Sequence, residues 1–530
     1  MPRANARTAI VFKTAAVSLL ITGLATAALH PDQPIKTTDG VISGVLSKDG
    51  RVMIFRGIPY AAPPVGLLRW RPPQPVKKWT GVLKSDHFSR NCVQPLVREL
   101  LPWTHEFMLG NDVSEDCLYL NIWAETSATE KGLPVYIYIH GGAFTGGSGD
   151  VSVYNGEHLA RRGLIVITLN YRLGVLGFLA HPELSRESPH NVSGNYGLLD
   201  QLAAIRWVAA NIRAFGGNPK QITIGGQSAG AISVNLLVAS PLAKDLFQGA
   251  VAESGSGVTS APIQALSEAE RTGEQYAASM GAKSVADLRA IPWQELEKNH
   301  SKAGKGLHFT PVIDGWLLPR APNDAFEGHD WSDVPTMTGW NADDSFGRPQ
   351  TAQRFREQAS RRYGSFASEF LRLYPAGSDE QALASYKAAS RDRNRVSMYL
   401  WAKRRAKAAK TPAFTYFFTR AIPWPEHPEF GAFHTAEVPY IFDNLDRLPR
   451  PWQPKDHEVA NVLSSYLVNF AGSGNPNGSN LPHWPAFDPA KQTTMEIGNE
   501  MKPISIAPPG KVEFWIRYLS SPESSREPFL

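Results

Sequence analysis

The chain has 530 residues, of which 42% are hydrophobic and 19% charged, and its formal net charge is +5. This is a globular composition with ample length for a large core, and it excludes a disordered or low-complexity protein. So small a charge over such a length is a weak surface bias, not a nucleic-acid footprint.

The first 28 residues read as a separate unit. Arg3, Arg7 and Lys13 precede an uncharged apolar stretch from Ala15 to Leu29, and Ala25-Thr26-Ala27 has the pattern of a cleavage site. The stretch falls short of the roughly 20 residues of a membrane span. A cleaved secretory signal over residues 1–28 is expected, with a secreted or periplasmic product and no stable membrane insertion. The two cysteines, Cys92 and Cys117, form an even pair that suggests one disulfide in an exported protein. No Cys/His cluster resembles a metal site, and neither metal nor cofactor is expected. Length alone suggests roughly three domains, but residues 29–530 read as one α/β domain with insertions.

Between Lys36 and Arg56, short β-like runs are separated by Asp39-Gly40 and Asp49-Gly50, which are hairpin signals. Pro59 to Pro75 is a proline-rich loop. Cys117 leads directly into a strand ending at Trp123. Leu133–His140 and Leu164–Asn170 are short, β-branched apolar runs and read as buried strands. Leu198, Leu202, Ile205, Val208 and Ile212 repeat at helical spacing until Gly216-Gly217 stops them. Strand and helix alternate from about residue 133 to 255, which predicts a mostly parallel, doubly wound sheet. Residues 260–410 are helical and loop-rich, interrupted by a strand at Val334–Thr338. Within them the basic run Lys403-Arg404-Arg405-Ala406-Lys407 reads as a solvated helix face. A late strand at Ala413–Thr419 and a helix at Val459–Phe470 follow.

The chemistry centres on Ile222-Thr223-Ile224-Gly225-Gly226-Gln227-Ser228-Ala229-Gly230. An apolar strand stops at G-x-S-x-G, and a small-residue helix begins. A nucleophilic serine needs such a sharp turn, and Gly226 and Gly230 let strand and helix pass closely. The turn leaves the Ala229 N–H at a helix start, where an anion is stabilised. A serine also needs a base and an orienting carboxylate, in the chain order Ser, acid, His for this strand-turn-helix arrangement. Asp344, with Asp343 beside it, follows the strand at Val334–Thr338. His434 follows the strand at Ala413–Thr419, with His427 and His457 as competitors. His140-Gly141-Gly142-Ala143, at the end of another strand, exposes bare backbone N–H groups that can approach an oxyanion.

These motifs together resemble the type B carboxylesterase and cholinesterase family of the α/β-hydrolase fold. The resemblance spans nearly all of residues 36–520. It rests on Phe55-Arg56-Gly57-Ile58-Pro59-Tyr60-Ala61, Glu115-Asp116-Cys117-Leu118-Tyr119-Leu120-Asn121, His140-Gly141-Gly142-Ala143-Phe144, Asn170-Tyr171-Arg172, Gly226-Gln227-Ser228-Ala229-Gly230, Pro311-Val312-Ile313-Asp314-Gly315 and Phe433-His434. It implies Ser228 as nucleophile, His434 as base and Asp344 as acid. Gly142, Ala143 and Ala229 would be the oxyanion donors, with Gly141 shaping the turn. Cys92–Cys117 would match the family's first disulfide, at the entrance of the gorge. Leu307 and Phe309, just before Pro311, would line an apolar acyl pocket. The chain departs from the family in having Asp344 where Glu is usual and Gln227 where Glu is usual. The expected activity is hydrolysis of small neutral carboxylic esters through an acyl-enzyme. An amidase or carbamate hydrolase with the same residues is the alternative within enzymes. The family's noncatalytic adhesion members are the alternative outside them, but those lack the serine that stands here at Ser228.

Overall fold

The computed structural model describes residues 29–526 except 98, 129–131, 258–262, 304–306, 329 and 346–350. The leader expected over residues 1–28 lies outside them. Among the described residues no helix is long and apolar enough to cross a membrane.

An eleven-stranded sheet carries the fold. In chain order its strands are β1 (Val45–Leu46), β2 (Val52–Pro59), β3 (Tyr119–Glu125), β4 (Leu133–Ile139), β5 (Ile165–Leu169), β6 (Gly217–Gln227), β7 (Gly249–Glu253), β8 (Thr336–Asn341), β9 (Ala413–Phe418), β10 (Thr493–Ile497) and β11 (Pro503–Ser505). Their spatial order is β11-β10-β9-β8-β7-β6-β4-β5-β3-β2-β1. The run from β5 through β4 to β10 is parallel, and antiparallel pairs close both edges. This is the mostly parallel sheet of an α/β-hydrolase.

The apolar runs form central strands because both sheet faces are covered. Side chains alternate between two cores, as a period of two requires. Val135, Ile137, Ile139, Ile222 and Ile224 enter one core, and Tyr136, Tyr138, Val251 and Met337 enter the other. Helix α1 (Tyr196–Asn211) packs against the first core and runs on into a 3₁₀ turn, Ile212–Phe215, that stops at Gly216, whose φ of 83° suits glycine. Helix α2 (Ala229–Ala239) follows β6. A third core gathers around α3 (Asp379–Ala406) and α5 (Pro509–Leu519), where Tyr363, Phe370, Tyr374, Phe514 and Trp515 pack together. Helix α4 (Pro454–Ser473) lies against the second core.

Both hairpins expected near Asp39-Gly40 and Asp49-Gly50 form, and the two cysteines are joined as Cys92–Cys117. Closing a loop of that length stabilises by about 3 kcal/mol on the chain-entropy argument.

Two expectations are corrected. The strand placed at Val334–Thr338 runs from Thr336 to Asn341. Pro335 has no N–H for the ladder, while Gly339, Trp340 and Asn341 pair with Tyr416, Phe417 and Phe418. The basic run 403–407 is not wholly solvated. Arg405 is 2% exposed and donates to the Val334 and Thr411 carbonyls at 2.7 and 2.9 Å, with Asp333 at 3.5 Å. Three and four residues back, Ala402 and Trp401 are buried on the same helical face.

Candidate active site

Parallel register brings the chemical loops together before any side chain is considered. Ile139 lies opposite Gly226, Gln227 opposite Glu253, Glu253 opposite Gly339, and Asn341 opposite Phe418. So the residues following β4, β6, β7, β8 and β9 leave the sheet at one carboxyl edge, where ligands bind in open α/β sheets.

Ser228 sits between β6 and α2 with φ 58° and ψ −123°. A non-glycine residue held there costs on the order of 1–3 kcal/mol and persists only where the surroundings impose it. Its N–H donates to the Glu253 carbonyl at 2.8 Å, and its own carbonyl accepts from Ile232 at 2.9 Å. A Cβ on Gly226 would come within 2.6 Å of the Gly230 carbonyl carbon, and one on Gly230 would meet the Ile139 carbonyl oxygen. The glycines of the motif are therefore there for close passage of backbone.

His434 and Asp344 meet behind this turn. The His434 Nδ1–H donates to Asp344 Oδ1, and both residues are buried. The other carboxylate oxygen accepts from Ser254 Oγ at 2.6 Å and from the Asn341 N–H at 3.0 Å. Burial opposes a charge on His434, but the adjacent Asp344 carboxylate outweighs it and raises the imidazole pKa above its usual value. Asp343 points elsewhere, accepting from Arg391 at 2.8 Å and from the Ala432 N–H at 3.0 Å. His427 pairs with Glu429, and His457 is exposed on α4. Of the competing acids and bases, the structure brings together Asp344 and His434.

The Gln227 amide nitrogen lies 3.1 Å from His434 Nε2 and 3.4 Å from its Nδ1, so the amide packs against the imidazole and touches both ring nitrogens. No carboxylate occupies this position.

Gly142, Ala143 and Ala229 have no acceptor for their N–H groups among the described residues. Gly142 (φ 108°) and Ala143 (φ 54°) turn sharply after β4, and a Cβ on Gly142 would run into the Gly146 carbonyl. A Cβ on Gly141 would be 2.6 Å from the Gln227 carbonyl oxygen and 3.0 Å from Ser228 Cβ, so this loop abuts the serine. His140 stacks on Tyr171 and donates from Nδ1 to the Gly141 carbonyl at 2.8 Å. Burial lowers its pKa to about 4, so it holds the loop as a neutral ring.

A cavity of about 210 Å³ abuts His434, walled by Leu101, Pro102 and Trp103 of the disulfide loop, Tyr386 of α3, and Phe430. Trp103 donates to the His434 carbonyl at 3.1 Å and to Thr435 Oγ1 at 2.9 Å. The disulfide loop is thereby fastened to the histidine loop. Phe309 is buried edge-on against Tyr276, and Leu307 packs on the first core; neither borders this cavity.

Sequence reasoning missed Ser254, Asn341 and Glu437 at the site. Ser254 could have been suspected, since it directly follows a buried strand whose neighbours both end in site loops. Asn341 and Glu437 carry no local signal.

A sequence profile of the carboxylesterase family matches residues 31–515. Fumonisin B1 esterase of Sphingopyxis macrogoltabida is 38% identical over 477 residues, covering 85% of this chain and 84% of its own. Para-nitrobenzyl esterase of Bacillus subtilis (strain 168) is 33% identical over 487 residues, covering 88% of this chain and 95% of its own. A solved PNB esterase superposes with a TM-score of 0.77 at 31% identity, over 91% of this chain and 99% of that one. The chain belongs to the carboxylesterase family and is a serine hydrolase acting on carboxylic ester bonds.

Proposed function

We propose that this protein is an exported esterase that cleaves small neutral esters through an acyl-enzyme on Ser228. The observation that carries the reading is the strained Ser228 turn beside a buried His434–Asp344 pair. His434 Nε2 takes the Ser228 Oγ proton as Oγ attacks the ester carbonyl. The Gly142, Ala143 and Ala229 N–H groups receive the oxyanion. The tetrahedral intermediate collapses, the C–O bond to the alcohol breaks, and His434 returns the proton to the leaving alkoxide. Water, deprotonated by His434, then attacks the acyl-enzyme and releases the acid. Asp344 holds the imidazole with its Nδ1–H inward and Nε2 outward.

The test is pre-steady-state. A p-nitrophenyl ester should release one equivalent of phenolate in a burst, and an organophosphate should label one peptide, at Ser228. Label on another serine refutes the assignment.

The neutral-ester preference rests on Gln227, a neutral amide at the serine. In a dry site a missing negative charge is felt strongly, because Coulomb terms grow as the effective dielectric falls. For a neutral and a choline ester with the same acyl group, the neutral ester should have the higher kcat/KM. A choline ester preferred by about tenfold, or about 1.4 kcal/mol in transition-state binding, overturns this.

Export is supported by the apolar leader and the disulfide. The mature N-terminus should lie near Ala28. Recovery of the full-length chain with two titratable thiols from the cytosol would refute it.

A further inference from the structure

The residue that follows the base is strained. Thr435 has φ 81° and is buried. Among the described non-glycine residues with positive φ it alone is β-branched. Such a side chain crowds its own backbone in the left-handed region, so the conformation is held by something outside the residue. The Ala436 N–H donates to the Phe433 carbonyl at 2.9 Å, which closes a turn with His434 and Thr435 at its centre. A φ of about +80° at the second central residue is the type II form, where glycine is usual. The type I form would give Thr435 a φ of about −90°, which threonine adopts freely.

The two forms differ by a flip of one peptide, the one joining His434 to Thr435. The flip rotates ψ of His434, the residue that carries the imidazole, and reverses the direction of its carbonyl. Both ends of the turn are fixed by other partners. The Phe433 carbonyl also accepts from Asn341 Nδ2 at 2.8 Å, and the Thr435 carbonyl accepts from the Val438 N–H at 3.1 Å. The central peptide is gripped from outside the turn, by Trp103. The indole N–H is shared between the His434 carbonyl at 3.1 Å and Thr435 Oγ1 at 2.9 Å. Trp103 is itself braced, since it exchanges backbone hydrogen bonds with Leu100 at 2.8 and 3.0 Å. Its ring stands edge-on to the imidazole, with centroids 6.4 Å apart. In the flipped form the His434 carbonyl would point away from the indole.

We propose that Trp103 is a positioning residue for the base: its indole holds the His434–Thr435 peptide in the strained orientation and so sets the direction from which Nε2 meets Ser228. The proposal rests on His434 being the base. Thr435 is the second handle of the grip. Its hydroxyl gives the indole an acceptor, while its β-branch makes the turn depend on being held. A glycine in its place would take the type II form unaided.

That dependence gives the test, a double-mutant cycle in kcat for a neutral p-nitrophenyl ester at saturation. Trp103→Phe keeps an aromatic wall and removes the donor. With Thr435 in place it should lower kcat by about tenfold, the scale of two lost hydrogen bonds. In the Thr435→Gly background the same change should cost less than about threefold. A role of Trp103 as cavity wall alone shifts both backgrounds equally, chiefly through KM. An equal loss in the two backgrounds, or no loss in either, overturns the proposal. Should Trp103→Phe fail to fold, Thr435→Val and Thr435→Gly decide. Both remove the hydroxyl and only valine keeps the β-branch, so kcat of Thr435→Val should lie about tenfold below that of Thr435→Gly. Equal values overturn the proposal. Organophosphate labelling of the wild type separates the two readings. Lost labelling at Ser228 defeats the Ser228–His434 assignment and the grip with it, whereas intact labelling with equal losses defeats only the role of Trp103.

Discussion

Replacing Ser228 with alanine is expected to lower kcat by about 10⁶-fold, with a melting temperature near that of the wild type. The chemical loss is this large because no other nucleophile stands at the β6–α2 turn. The fold should survive because the backbone, not the hydroxyl, holds the turn. Ser228 anchors through its N–H and carbonyl, and its side chain makes no cap bond to α2. Alanine at φ 58° is strained much as serine is, so the cost of the turn is unchanged. Steady-state kinetics on purified variant with a calorimetric scan make the check. Activity within tenfold of wild type would place the nucleophile elsewhere.

The second large effect belongs to Asp344. Asp344→Asn should reduce kcat by about 10⁴-fold, the scale of the matching change in a worked triad. An amide oxygen can accept from Nδ1–H, but the amide nitrogen turned inward stabilises the opposite tautomer, which presents Nε2–H to the serine. Ser254 and the Asn341 N–H hold one carboxylate oxygen, so an amide at this position is also pulled into that pattern. Asp343→Asn is the matched control. It loses the contact with the part-exposed Arg391, a pair worth at most about 1 kcal/mol, so kcat should change by less than about tenfold. A large loss at Asp343 with a small one at Asp344 would exchange the two roles.

What could be read from the sequence follows the range of the forces involved. The elbow at Ser228 was legible because strand, turn and helix are encoded within about ten residues. The central strands β4 and β5 were legible because both faces are buried, which leaves a continuous apolar run. The end of β8 was not, since Gly339-Trp340-Asn341 looks like a loop and is held extended by β9, with β7 reaching it at Gly339. Arg405 was misread because its burial depends on Val334, Thr411 and Asp333, which no helical periodicity reveals. The assignment of Asp344 over Asp343 needed the fold for the same reason, as adjacent residues on a turn face opposite ways. Asn341 and Glu437, 96 residues apart, meet only in the fold. β10 and β11 carry short, mixed patterns in which the strand period does not stand out.

The strap formed by Trp103 has a consequence for how this enzyme would wear out. Its indole joins the Cys92–Cys117 loop to the carbonyl of His434 and the hydroxyl of Thr435. Reductive opening of the disulfide would free a segment of wall that carries Leu101, Pro102 and Trp103. The sheet, whose strands owe nothing to that loop, would keep its register. Damage of this kind would blunt selectivity and loosen the histidine while circular dichroism still reported an intact protein. Ageing in a reducing medium should therefore be followed by turnover, because spectroscopic measures of folding would lag behind it.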